Sequence, residues 1–195
     1  WKHNFVVTRD TLIPRPDTEL LVEIILSRFS EHSIKVADLG TGSGALAVSL
    51  GFERPEWKIL GIDISEGALA VAKQNVGELR NVHFSLGSWF TNVKESFDLI
   101  ISNPPYVRSG DTHLVELKFE PTLALNAGED GLECYKQIIK HCNKHMTPGG
   151  HILLEHGYEQ QGKLKKLLLN AGLTNVEGFK DLHGHPRAVL ARSPL

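Results

Sequence analysis

Apolar and polar positions along the chain follow two rhythms. Residues 18–29 place Leu20, Leu21, Ile24, Ile25 and Phe29 at helical spacing, behind Pro14 and Pro16. Proline's fixed φ suits a helix start, so a helix is expected there. Short apolar runs at 34–39, 57–63, 82–86 and 97–102 read as strands. Between them, 45–53 and 65–75 read as helices, with Ser65 a candidate N-cap. Further on, 131–146 carries Leu132, Tyr135, Ile138, Ile139 and Cys142 on one helical stripe. Thr147-Pro148-Gly149-Gly150 reads as a turn, 151–155 as the strand after it, 159–171 as a helix and 187–191 as a last strand. Strands and helices alternating at these lengths specify an α/β fold with a mainly parallel sheet. Ligands of such sheets bind beyond the carboxyl ends of the strands, so the residues after each strand are the candidates for function.

Residues 107–130 break the rhythm. The segment is longer than most connections in a compact domain. Phe119, Pro121, Leu123 and Leu125 make it too apolar for a free linker. A binding loop is expected.

Composition narrows the class. The 195 residues hold 21 Lys+Arg against 23 Asp+Glu, a formal net charge of −2. That balance argues against a surface built for general phosphate attraction, and so against direct nucleic-acid binding. With only two cysteines, Cys134 and Cys142, neither a disulfide scaffold nor a four-cysteine zinc site can form; a reducing, cytoplasmic setting is expected. No apolar run approaches the roughly 20 residues of a membrane span. The chain opens on Trp1 rather than Met, which reads as a fragment of a longer protein.

The first strand ends in Asp38-Leu39-Gly40-Thr41-Gly42-Ser43-Gly44-Ala45. Three alternate glycines permit a tight strand-to-helix turn and close backbone approach to a ligand. The loop alone fits a dinucleotide as well as S-adenosylmethionine (AdoMet), and Asp63 at the end of the second strand could hold a ribose in either case. Asp38 separates the two. A carboxylate beside the turn repels a pyrophosphate but attracts the ammonium and sulfonium of AdoMet; the plainer role for Asp38 is to cap the turn.

After the fourth strand comes Asn103-Pro104-Pro105-Tyr106. Two prolines lock φ and remove two N–H donors, leaving carbonyl acceptors. Asn103 Oδ1 and the Pro104 carbonyl can accept both hydrogens of a planar NH2 group while the Tyr106 ring packs on its face. Amide nitrogens are poor nucleophiles because their lone pair is delocalised. Gripping both hydrogens aims that lone pair at an electrophile, and positioning of this kind is a large catalytic effect.

This pair of segments resembles the amino-methyltransferases. Residues 12–19 (Leu-Ile-Pro-Arg-Pro-Asp-Thr-Glu), Phe119-Glu120-Pro121, Ala124-Leu125, residues 128–132 (Gly-Glu-Asp-Gly-Leu), Glu155-His156-Gly157 and Gln160 are similar, more specifically, to the HemK/PrmC family. Members of that family methylate the side-chain nitrogen of the glutamine in the Gly-Gly-Gln motif of peptide chain release factors. The resemblance implies a Rossmann-like class I AdoMet-dependent methyltransferase fold: a seven-stranded, mostly parallel sheet with an antiparallel last strand and helices on both faces. It implies that Gly40, Thr41, Gly42, Ser43 and Gly44 cradle AdoMet, that Asp63 holds the ribose, that Trp89 lies by the adenine and that Asn103 borders the cofactor. S-adenosylhomocysteine is the implied product. Asn103, Pro104, Pro105 and Tyr106 would clamp the substrate glutamine, with Asn103, Pro104 and Tyr106 catalytic and Arg15 a further substrate contact. The alternative is methylation of an exocyclic amine of adenine or cytosine in nucleic acid, and a third reading is a nucleotide-binding module. Residues 1–33 are expected to be a linker and leading helix, and 34–195 the methyltransferase domain. The family's N-terminal helical domain has no counterpart in the chain, and Ser88 stands where the family often has an acid. A cytoplasmic monomer with a release factor as partner is expected.

Lesser features have plainer readings. His141 and His145 are spaced i, i+4 on the expected helix, but no third ligand accompanies them, so no metal site is expected. His183-Gly184-His185 reads as a turn, Cys134 and Cys142 as space-filling, and Glu120 and Glu155 as shaping the pocket or bonding within the core.

Overall fold

A computed structural model describes residues 3–30, 32–110, 121 and 124–195. Phe119, Glu120 and Leu123 of the expected binding loop lie outside the described residues. The chain runs α1 (Pro16–Arg28), β1 (Lys35–Leu39), α2 (Ala45–Glu53), β2 (Lys58–Asp63), α3 (Glu66–Asn75), β3 (Val82–Leu86), β4 (Phe97–Ser102), α4 (Glu133–Cys142), β5 (Met146–Glu155), α5 (Gln161–Asn170), β6 (Thr174–Lys180) and β7 (Pro186–Arg192).

The sheet has seven strands in the order β3-β2-β1-β4-β5-β7-β6. β1 to β5 pair in parallel, and β7 runs antiparallel between β5 and β6. Both faces are buried, so each central strand contributes to two cores. Ala37, Leu39, Ile100, Ile152 and Leu154 face α4 and α5. Their neighbours Val36, Leu99, Ile101 and Leu153 face α1 and α2, with the indole of Trp57 fully buried beside them.

Local chemistry explains the ends of the elements. Pro16 takes the first turn of α1, where its missing N–H costs nothing. Ser65 caps α3 by accepting from the Ala68 N–H at 3.2 Å. At the start of α2, Gly44 has φ +80°, and a Cβ there would meet Ala72 and the Phe84 ring at 3.2 Å. Glycine is required at that position for both reasons.

Two sequence expectations shift, and one strand had none. The stripe at 131–146 forms a shorter helix that ends at Cys142, so His145 is not on it and His141 and His145 do not share a helical face. His145 instead stacks on Phe90, with ring centroids 4.6 Å apart. The Thr147–Gly150 turn does not precede β5 but bulges within it: β4 pairs Phe97 with Met146 and then Leu99 with His151. β6 has no sequence signal, because it is an edge strand without buried positions.

The strand order reverses between β1 and β4, and the crevice at that switch point is where an open α/β sheet takes its ligand. Register fixes what meets there. Leu39 pairs with Ile62 on one side and with Ser102 on the other. The next residues along the three strands are Asp63, Gly40 and Asn103, which therefore emerge side by side. Ser102 Oγ donates to the Leu39 carbonyl at 2.6 Å and ties the two inner strand ends together.

Candidate functional site

Two adjoining cavities open at this edge. The larger, of about 900 Å³, lies over Gly40, Thr41, Gly42 and Ser43 and is bounded by Asp38, Asp63, Ser88, Trp89 and Pro105. The smaller, of about 400 Å³, is bounded by Arg15, Pro104, Tyr106, Arg108, Gly157 and Arg187. Asn103 lines both. The expected Asn-Pro-Pro-Tyr segment thus forms the partition, with Pro105 on the larger side and Pro104 and Tyr106 on the smaller. Gly44 stands behind the glycine loop, where it seats α2, and is not on the wall of the cavity.

The loop of the larger cavity is braced by two carboxylates. Asp63 Oδ2 accepts from the Gly42 N–H at 2.8 Å, and its Oδ1 from the Ser65 N–H at 2.9 Å. Asp63 therefore anchors the loop to the head of α3, and each oxygen keeps a lone pair for a further donor. Asp38 is buried beneath the loop; its Oδ2 accepts from Thr41 Oγ1 at 2.6 Å. Its Oδ1 is buried with no hydrogen-bond partner. Burial raises the Asp38 carboxyl from 3.8 to about 7, against the lowering effect of the Thr41 hydrogen bond. A cation entering the cavity would relieve that penalty. At Gly42, φ is +57° and nothing lies within 4 Å of where a Cβ would be, so this face of the loop is open to a ligand.

Trp89 holds a left-handed backbone, φ +50°, and its Nε1 donates to Gln137 Oε1 of α4 at 2.8 Å. A non-glycine residue in that conformation is uncommon and strained. Here the hydrogen bond to Gln137 holds the indole in place at the cavity wall. Cys134 also borders this cavity, and burial pushes its thiol up to about 11, which leaves it neutral. Among the described residues no group of three His, Cys, Asp or Glu side chains is placed to hold a metal ion.

The partition is held at both ends. Asn103 Nδ2 donates to Thr18 Oγ1 at 3.1 Å, and Thr18 Oγ1 donates to Glu155 Oε2 at 3.0 Å. At the other end, Gln160 Nε2 donates to the Tyr106 carbonyl at 2.9 Å and to that of Gly131 at 3.1 Å, while its Oε1 accepts from the Gly157 N–H at 3.0 Å. Tyr135 Oη donates to the Glu155 carbonyl from inside the core. The roles of Thr18 and Gln137 were not legible beforehand. A threonine in a first helical turn and a glutamine on a helix carry no signal until the fold shows what they touch.

Arg15 borders the smaller cavity, as a substrate contact would require. Arg108, Lys163 and Arg187 join it there, against Asp130 and Glu159, so this cavity is cationic. Arg108 faces Glu159 across 3.6 Å in an exposed pair, and Arg187 pairs with Asp181 at 3.4 Å. Among the described residues, no helix is long and apolar enough to cross a membrane.

Known proteins similar to this chain include methyltransferases. The family model described as Methyltransferase small domain matches residues 16–119. A release factor glutamine methyltransferase of Coxiella burnetii is 42% identical over 98% of this chain and 71% of its own length. One from Salmonella typhimurium is 40% identical over the same shares. Among solved structures, a ribosomal protein L11 methylase from Lactobacillus delbrueckii subsp. bulgaricus superposes with a TM-score of 0.72 at 19% identity, over 94% of this chain and 81% of that one. Human N-acetylserotonin methyltransferase in complex with SAM superposes with a TM-score of 0.61 at 20% identity, over 89% and 51%. These two show the fold, that of class I AdoMet-dependent methyltransferases.

Proposed function

The chain belongs to the family of release factor glutamine methyltransferases, and from that premise we propose how its two cavities divide the reaction. It transfers a methyl group to the glutamine side-chain amide of a peptide chain release factor. The glutamine would be that of the Gly-Gly-Gln motif, and the methyl donor AdoMet. The observation that carries this reading is the position of Asn103, which borders both cavities and carries an amide suited to grip an NH2 group.

The larger cavity fits AdoMet by its chemistry. Asp38 presents a buried carboxylate oxygen without a partner, suited to the cationic methionine end. Gly40, Thr41, Gly42 and Ser43 offer the open loop, with Gly44 holding it from behind. Asp63 would accept from the ribose hydroxyls while keeping its hold on the loop, and Trp89 supplies a flat wall for the adenine. AdoMet supplies the electrophilic methyl group, and S-adenosylhomocysteine is released.

The smaller cavity would receive the glutamine. Asn103 Oδ1 and the Pro104 carbonyl accept its two amide hydrogens, and the Tyr106 ring packs against the amide plane. Pro105 fixes the backbone between them, and Arg15 meets the substrate at the mouth. Holding both N–H bonds draws the nitrogen toward a pyramidal shape and aims its lone pair at the larger cavity. As the new bond forms the nitrogen becomes acidic, and its proton passes through these acceptors to water. No strong base is required.

On the same reading, residues 34–195 form the transferase domain, and 1–33 supply a linker and a helix. The enzyme acts as a cytoplasmic monomer on protein, without contacting nucleic acid. Incubation with AdoMet and a release factor, followed by peptide mass spectrometry, should find one methyl group on the glutamine. A release factor left unmodified would refute the reading.

A further inference from the structure

Thr18 lies in the first turn of α1 and is buried, 137 positions from the Glu155 it touches. Its Oγ1 makes two hydrogen bonds, one to Glu155 Oε2 at 3.0 Å and one to Asn103 Nδ2 at 3.1 Å. A hydroxyl has a single hydrogen. With that hydrogen directed at a carboxylate oxygen, Thr18 offers Asn103 only a lone pair. The side-chain oxygen of Asn103 cannot sit on that side, because two acceptors would then face each other. The NH2 end must face α1, and Oδ1 turns the other way. An amide flipped by half a turn would present donors to a substrate that itself brings two N–H donors, and its grip would be lost.

We propose that Thr18 is a positioning residue for methyl transfer: by donating to Glu155 and accepting from Asn103, it locks the Asn103 amide with its carbonyl oxygen toward the substrate. This inference rests on the methyl-transfer reading above. Thr18 borders the larger cavity as well, so a substitution must keep its shape. Thr18→Val does so and removes only the hydroxyl. Loss of an orienting contact of this kind is expected to lower kcat by about 30- to 100-fold. The affinity for AdoMet should stay within about threefold, because the cavity wall is unchanged in shape. Thr18→Ser restores the hydroxyl and should restore kcat.

A second readout does not depend on turnover. In 15N-labelled protein the Asn103 side-chain NH2 signal, identified by its loss in Asn103→Ala, should exchange slowly with water in the wild type and Thr18→Ser, and fast in Thr18→Val. Unchanged kcat in a folded Thr18→Val, or equally low kcat in Thr18→Ser, would overturn the proposal. Fast exchange in the wild type would overturn it too. Should the wild-type chain transfer no methyl group to a release factor, the methyl-transfer reading falls, while the exchange measurement still reports on the amide lock.

Discussion

The two cavities that meet at Asn103 are built in different ways. The larger is framed by the turns that follow β1, β2 and β3, side by side at one sheet edge, and closed by residues before α1 and on α4. Hydrogen bonds within these turns span two positions from Ser65 to Asp63, three from Thr41 to Asp38 and 21 from Gly42 to Asp63, and Trp89 reaches Gln137 across 48. The smaller cavity is assembled across the fold. Gln160 meets Tyr106 across 54 positions and Gly131 across 29, and at the partition Thr18 meets Asn103 across 85. The first kind of site transfers with a motif and a strand order, and so suits a cofactor shared by many enzymes. The second depends on how distant segments dock, which is where a fold can specialise for one substrate.

The sharpest way to break this division is to remove the amide that faces both sides. Asn103→Ala should lower kcat by about 10³-fold, since the grip on the nucleophile is lost. AdoMet affinity should change by no more than about threefold, because the loop over Gly40 and Gly42 does not depend on that side chain. Turnover and calorimetric titration on the same sample check the pair; a large loss of affinity would mean the cavities are not separable at the partition.

Next comes the larger cavity alone. Asp38→Asn should weaken AdoMet by about 30-fold, the scale of a lost hydrogen bond to a charged group. Its pH dependence has a definite sign. Burial raises the Asp38 carboxyl to about 7 in the folded chain. The folded state thus holds the proton more tightly than the unfolded one, and ligand-free stability falls as pH climbs from about 4 to about 7. A cationic ligand favours the ionised form, so affinity should rise across pH 6 to 8. In Asp38→Asn the affinity should lose this slope, and ligand-free thermal stability at pH 8 should rise. Melting curves and titrations over that range check both.

A smaller effect is expected from Gln160→Ala, which frees the Tyr106 end of the partition. It should lower kcat/KM for the release factor by about tenfold with AdoMet binding unchanged. Steady-state kinetics with each substrate varied in turn separates the two. The smallest belongs to Arg108→Ala. Its pair with Glu159 is exposed, and such pairs contribute little to stability. The melting temperature should not move, whereas a cationic cavity that attracts its substrate should show a KM raised about twofold, an effect that fades at high salt.

Several elements were legible because one local signal sufficed. Pro16 marked the start of α1, Ser65 capped α3 as its position suggested, and the apolar runs of β1, β2, β3 and β4 read as the strands they form. Others failed for identifiable reasons. β6 sits at the sheet edge with polar residues and no buried position, so neither periodicity nor apolar content betrayed it. The Thr-Pro-Gly-Gly signal was sound chemistry in an unexpected place, since a parallel pairing with β4 resumes beyond it and makes the turn a bulge. His145 had the right spacing for a helical partner of His141, but spacing says nothing once the helix has ended at Cys142.

By itself, the sequence determined the strand-and-helix alternation, the acid and glycines that form the loop after β1, and the acceptor-rich turn after β4. Each of these is written in neighbouring residues, because backbone freedom at glycine, fixed φ at proline and apolar periodicity act over a few positions. Only the tertiary structure decided that the two turns stand side by side, through the register that pairs Leu39 with Ser102. Only it placed Asn103 between two cavities and brought Thr18 and Glu155 to the amide of Asn103. Those contacts join segments up to 137 positions apart, and their hydrogen-bond directions follow from which atoms meet, which no local pattern encodes.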